Sequence, residues 1–256
     1  MGKARILSLA AVTLAATITS GVAAGDFDSP ILSMSVLRNG APAWSDQALP
    51  TQALGGGNFE YGSLGQQIDY VDAAGWAISY NVSYASGATS GSGPVIATLT
   101  FGLTNNTGSE DSFTVNTTLP LLAALGPAYN MGGSVEGTLG DADFSGGGLL
   151  SDNGGPIYSG LVDGTSRLSL LNDPFSFGGV AFGTAPFGPD SAGLPGVSLP
   201  GVGANPFGDI GIDIDFRLSD GDSATFTADF VVQAVPAPGA LALLGLGLVA
   251  PRRRRR

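Results

Sequence analysis

The sequence predicts an all-β protein, an antiparallel β-sandwich of jelly-roll-like form, and three observations carry that reading. Apolar residues recur at every second position over long stretches, turn sequences rich in Gly, Asn and Asp separate those stretches, and almost nothing follows a helical period. From Trp76 to Tyr84 the alternation is without error: Trp76, Ile78, Tyr80, Val82 and Tyr84 face one way, small or polar residues the other. Val95, Ala97, Leu99, Phe101 and Leu103 repeat it, the chain turns at Asn105-Asn106-Thr107-Gly108, and Phe113, Val115, Thr117 and Leu119 start a return strand. This reads as a hairpin with one buried face.

The clearest hairpin is the last. Ile212, Ile214, Phe216 and Leu218 alternate with Asp213, Asp215 and Arg217, and Ala224, Phe226, Ala228, Phe230 and Val232 alternate with Thr225, Thr227 and Asp229. Between them Asp220-Gly221 supplies the positive-φ step of a tight turn. A weaker hairpin is predicted from Ile157 to Leu171 around Asp163-Gly164, and short strands at 32–37, 68–71, 135–139 and 175–182. About ten short strands separated by turns indicate a sandwich. Two segments depart from the pattern. Residues 119–125 could form a single helical turn opened by Pro120. Residues 185–208 hold five prolines and six glycines and read as a long loop across one end or edge.

Both ends read as processing signals rather than fold. Lys3 and Arg5 precede an apolar run from Ile6 to Ile18, and Val22 and Ala24 fit the small-residue positions before a cut at Gly25. The run is shorter than the ~20 residues a spanning helix needs, so residues 1–24 are expected to be a secretory signal peptide removed by signal peptidase. The body is then 25–234. It keeps Arg38, Arg167 and Arg217 against all 21 Asp and Glu of the chain, so it repels phosphate backbones and nucleic acid is excluded as a partner.

The missing residue types remove further classes of chemistry. No Cys or His occurs anywhere, and no Lys after Lys3. That rules out disulfides, thiolate and imidazole metal sites, Ser-His-Asp triads and Schiff bases. Carboxylate chemistry survives, as an Asp/Glu pair or a cation site.

From Val235 the chain reads Val235-Pro236-Ala237-Pro238, then an apolar run over 239–250, then Pro251 and Arg252, Arg253, Arg254, Arg255 and Arg256. Physically this is a stiff linker, a short helix of about 18 Å and a positive stop that stays on the cytoplasmic side. The helix is shorter than the ~30 Å hydrocarbon core, which suits a temporary anchor better than a permanent one. The tail, 235–256, resembles the PEP-CTERM sorting domain of exported bacterial proteins. The resemblance implies export, a transient stay in the membrane through 239–250, and processing at the Pro-x-Pro motif by an exosortase, a membrane cysteine protease-transpeptidase. It also implies localisation at the cell envelope, cell surface or extracellular matrix, with extracellular polysaccharide as an expected partner. The tail departs from the family at Ala237, where glutamate is usual.

Within the body, Asp141, Asp143, Ser145 and Asp152 follow the Asp-x-Asp-x-Ser-Gly…Asp spacing of a Ca²⁺ loop, with Gly146 at the sharp turn. The alternative there is a solvated β-turn. Asp213, Asp215, Asp220 and Asp222 form a second acidic group, read as a charged solvent face or a loose cation site. Tyr61, Tyr129 and Tyr158 are candidates to stack on a sugar ring or to be core. The Asn-x-Ser/Thr sites at Asn81, Asn105 and Asn116 read as turn and strand residues. No catalytic residue is assigned. The expectation is a non-enzymatic surface or matrix protein, and the alternative is a secreted carbohydrate-binding module or carboxylate-only glycosidase.

Overall fold

The computed structural model describes residues 30–55, 58–62, 69–86, 94–121, 128–141, 148–181, 183–193, 199–202 and 208–235. These residues are all-β, with no helix among them, and form two antiparallel sheets. The signal segment, residues 236–256 and positions 142–147 lie outside the described residues.

One sheet runs β12 (Thr165–Leu170), β11 (Tyr158–Val162), β16 (Asp209–Leu218), β8 (Asp111–Pro120), β1 (Leu32–Arg38), β2 (Ala41–Ala48), with the short β10 (Leu149–Ser151) and β13 (Ser176–Gly178) attached beside β16. The other runs β14 (Thr184–Gly193), β9 (Ala128–Asp141), β17 (Asp222–Ala234), β7 (Pro94–Asn105), β6 (Trp76–Ser86), β4 (Asn58–Gly62), β3 (Gln52–Gly55). There β15 (Leu199–Val202) pairs with β9, and β5 (Tyr70–Val71) with β6. The pairings nest: β7 with β17, then β8 with β16, then β9 with β14, then β11 with β12, and each successive pair falls in the opposite sheet.

The sheets pack face to face in a sandwich-like arrangement, and the alternating apolar residues meet between them. Phe101 and Phe226 of one sheet contact Phe216 of the other, with ring centroids 6.3 and 4.9 Å apart, and Phe113 closes on Phe216 at 6.0 Å. All four rings are essentially inaccessible to solvent. Each buried phenylalanine contributes roughly 2–3 kcal/mol of transfer free energy, which is how a chain with no disulfide holds two sheets together.

Two expectations about connectivity are corrected. The runs either side of residues 106–110 do not pair with each other: β7 lies in one sheet and β8 in the other. The same holds for β16 and β17 around Asp220-Gly221. Both turns are arches between sheets rather than hairpins. Alternation reports one buried face, and a strand buries one face equally well beside its neighbour or across from it. The side chain of Asn105 fastens the two arches: its Nδ2 donates to the carbonyls of Ser109 and Leu218, both at 2.9 Å, and its Oδ1 accepts from the Thr107 hydroxyl at 2.8 Å.

The stretch 185–208 is also corrected, because it contains strands. Edge strand β14 and the short β15 both lie along β9. Prolines are tolerated there since one side of an edge strand needs no donor, and the bulge between Phe187 and Asp190 carries Gly188 at φ +79°. The hairpin around Asp163-Gly164 forms as expected. The strands are more numerous than expected; β9 and β17 reach 14 and 13 residues, whereas those expected at 68–71 and 175–182 are described only as the short β5 and β13.

Candidate functional site

Strand register lays a polar row across the outer face of the first sheet. Ser45 pairs with Ser35, Ser35 with Asn116, Asn116 with Asp213, and Asp213 with Ser159. One row along, Gln47, Ser33 and Thr118 are aligned in the same way. Because the side chains on β1 and β2 are short, they leave a shallow groove of about 340 Å³ lined by Ser33, Ser35, Ser45, Gln47, Asn116 and Thr118. Thr118 donates to Asn116 Oδ1 at 3.3 Å, and Asn116 approaches Asp213 at 3.5 Å, so amide, hydroxyl and carboxylate form one chain.

Asp213 and Asp215 flank the groove on β16. Burial pushes the Asp213 carboxyl up to about 6, with Asp215 adding to the rise and Asn116 opposing it. Burial likewise raises Asp215, against hydrogen bonds from Thr114 and Asn153. The two acids stand side by side on one strand rather than across a cleft. The other two members of that acidic group lie elsewhere: Asp220 accepts from the Gly108 amide at 2.7 Å, and Asp222 is buried and bonded to the Ser219 hydroxyl.

A second feature lies at the β2–β6 edge, where Trp44 of one sheet reaches over Tyr70 and Tyr80 of the other. Trp44 stacks on Tyr70 at 5.7 Å with 28° between the planes, and Tyr70 packs on Trp76 at 5.3 Å. Trp44 and Tyr70 remain partly exposed. Carboxylates ring them: Tyr80 donates to Asp46 at 3.1 Å, Tyr70 to Asp72 at 3.0 Å, and the Tyr80 amide to Asp69 at 2.7 Å. Aromatic faces with flanking acceptors suit a sugar ring, whose C–H face stacks while its hydroxyls donate.

The tyrosines singled out from sequence do not have that role. Tyr61, Tyr129 and Tyr158 are buried, with Tyr61 donating to the Pro30 carbonyl at 2.7 Å and Tyr158 to the Asp229 carbonyl at 2.8 Å. Trp44 went unnoticed because Ala41 to Ala48 has weak alternation. The one available signal was a tryptophan two residues from an aspartate in a segment dense with Pro and Ala.

Of the Ca²⁺-loop residues, Asp141 ends β9, buried, in register with Asp222. Asp143 and Ser145 lie outside the described residues. Asp152 uses both carboxylate oxygens on main-chain amides, Gly154 at 2.9 Å and Phe175 at 2.5 Å, and these bonds hold its carboxyl below the usual range. Among the described residues no three acidic side chains converge as a metal ion requires. Val235 of the sorting motif is described and 43 % exposed; Pro236, Ala237, Pro238 and Arg252 to Arg256 are not described. Among the described residues no helix is long and apolar enough to cross a membrane, and the 239–250 run lies beyond them.

Comparison with protein-family models gave no match, nor did a search among curated proteins.

Proposed function

We propose that this chain is an exported, non-enzymatic envelope or matrix protein whose jelly-roll-like body is displayed outside the cell, and whose residues 235–256 are a sorting signal read by an exosortase. One observation supports this most directly. The central strand β17 ends at Ala234, and the Val235 amide makes a last main-chain bond to the Ala128 carbonyl at 3.1 Å. The next residue, Pro236, has no N–H with which to continue the ladder. The Pro-x-Pro motif thus follows directly on the last described ladder bond of β17, a position that supports its reading as a sorting signal. The nested strand pairing supports the jelly-roll reading.

Mass spectrometry of the protein exported by a host with a matching exosortase tests the proposal. The expected mature form begins at Gly25 and lacks the five terminal arginines. An intact C-terminus in that host makes the tail a plain anchor.

The second reading, a carbohydrate-binding module, is favoured by Trp44 stacked on Tyr70 among acceptor carboxylates. It predicts slowed migration in gels cast with a neutral polysaccharide, lost in Trp44→Ala. Equal migration of both forms removes it.

A further inference from the structure

Along one side of the body the outer strands of the two sheets come together. β2 is the last strand of its sheet, and the short β5 pairs with β6 of the other. Three rings meet there: Trp44 of β2 packs on Tyr70 of β5 and Tyr80 of β6, with 5.7 and 5.8 Å between centroids. Tyr80 is buried, as is Trp76, which packs against Tyr70, whereas Trp44 and Tyr70 keep part of their surface in solvent.

The polar surround of these rings is one-sided. Asp46 stands two residues from Trp44, and Asp69 and Asp72 bracket β5. The hydroxyls of Tyr80 and Tyr70 already donate to Asp46 and Asp72. No arginine offsets these acids: the ion pairs of the described residues join Arg38 to Asp111 and Arg217 to Glu110. The chain has no Lys after Lys3. Nor do the three acids meet at a point, since among the described residues no three acidic side chains are placed to hold a metal ion. Negative charge is instead spread round an exposed aromatic surface.

We infer that this patch takes an amino sugar with a free amine, as a unit of a polysaccharide: the C–H face of the ring rests on Trp44 and Tyr70, and its ammonium group lies among Asp46, Asp69 and Asp72. This rests on the carbohydrate-binding reading and names the class of sugar. The two exposed features attract the same group. An aromatic face holds a cation through its quadrupole, and carboxylates without a cationic partner hold it through their charge. A uronic acid would be repelled by the same acids, and a neutral sugar leaves their charge unanswered. A simple amine answers the charge but leaves the flat apolar area of the rings uncovered, whereas a sugar ring covers it.

The chain has two tryptophans, and Trp76 is 1 % exposed, so contact at the patch registers as a change in Trp44 emission. The full chain is titrated at mildly acidic pH with a glucosamine trimer, its N-acetylated counterpart and trilysine. The expected result is a saturable change with the glucosamine trimer, at an affinity about tenfold above that of the acetylated trimer, and no change with trilysine. Asp46→Asn, which keeps an acceptor for the Tyr80 hydroxyl, should lower that affinity severalfold. Glu136→Gln, at an exposed acid on β9, three strands away from β6, should leave it unchanged. Equal binding of the two trimers overturns the ammonium preference and leaves the carbohydrate reading standing. Equal binding of trilysine, or an equal loss in Glu136→Gln, reduces the effect to bulk charge and overturns the sugar site. If neither trimer alters the emission while the neutral-polysaccharide gel still shows retardation that depends on Trp44, the amino-sugar assignment alone fails. If the gel shows none either, the carbohydrate reading fails with it.

Discussion

The hydroxyl of Tyr158, on β11 of one sheet, donates to the main-chain carbonyl of Asp229, on β17 of the other, across 2.8 Å. It reaches because Gly133, beside it on β9, has no side chain: a Cβ there would stand 2.5 Å from that hydroxyl and 2.8 Å from the same carbonyl. A ring, a carbonyl and a glycine thus form a polar staple between the two sheets. The burial that makes Tyr158 useful for this also raises its pKa, so it stays a donor at any ordinary pH.

Tyr158→Phe should cost about 1 kcal/mol, the usual net value of one neutral hydrogen bond, with part of that due to the carbonyl left behind. Gly133→Ala should cost more, about 1–3 kcal/mol, through overpacking. The double variant should cost less than the sum, since removing the hydroxyl makes room for the new methyl. Urea melts of the four proteins give the coupling, and strict additivity would mean that the two sites do not share this space.

Much of the fold was legible in advance because one-faced burial leaves a period-two trace, and Trp76–Tyr84 or Ile212–Leu218 could hardly be anything but strands. The arches were not legible, since Phe216 and Phe226 show the same alternation whether their strands pair or face each other. Edge strand β14 was hidden by Pro186 and Pro189, residues that argue against a central strand but not an edge one. The candidate groove depends on register across β2, β1, β8 and β16, and register is a long-range property: nothing local to Ser35 announces that Asn116 and Asp213 will line up beside it.

Arg38 and Asp111 form the close ion pair of the described body, 2.8 Å apart, with Asp111 3 % and Arg38 25 % exposed. Burial alone would raise the Asp111 carboxyl, but donors from Thr107, Asn39 and Arg38 outweigh it and hold it below the usual range. A carboxyl lowered by folding contributes stability that is present above its unfolded pKa and is lost as pH falls through the folded value. Asp111→Ala strands those donors and should cost about 2–3 kcal/mol at pH 7, toward the low end for a broken buried pair because Arg38 can still reach water. The penalty should shrink in strong acid. Denaturant melts at pH 7 and pH 3 check this, and a penalty that does not change with pH would assign Asp111 a packing role.

Asp152 separates a structural carboxylate from a metal ligand. Its oxygens already cap the Gly154 and Phe175 amides, so Asp152→Ala should lower the melting temperature by the same amount in Ca²⁺ and in chelator. Thermal melts under the two conditions decide. A loss seen only with Ca²⁺ would make Asp152 a ligand and support the loop spacing from Asp141.

Asp213 should show the opposite pH sign to Asp111. Half-buried on the outer face beside Asn116, Ser159 and Asp215, its carboxyl is pushed from 3.8 to about 6, chiefly by burial. The folded state therefore binds this proton more tightly than the unfolded chain. Stability falls as pH rises from about 4 to about 6 and stays at the lower level beyond, because the charge then has to be held partly out of water. Asp215, the titratable neighbour on the same strand, is raised for the same reason and steepens the fall. Asp213→Asn removes the charge and keeps the shape. It should stabilise the protein by about 1–2 kcal/mol at pH 7, a value reduced from the full shift because solvent reaches part of the group. Near pH 4, where the native carboxyl is already protonated, the gain should largely disappear. Urea melts of both proteins at pH 4, 5, 6 and 7 trace the difference directly. A gain that is constant across the series would mean the substitution acts through packing or the Asn116 hydrogen bond, and the carboxylate at the edge of the groove would then carry no conformational cost.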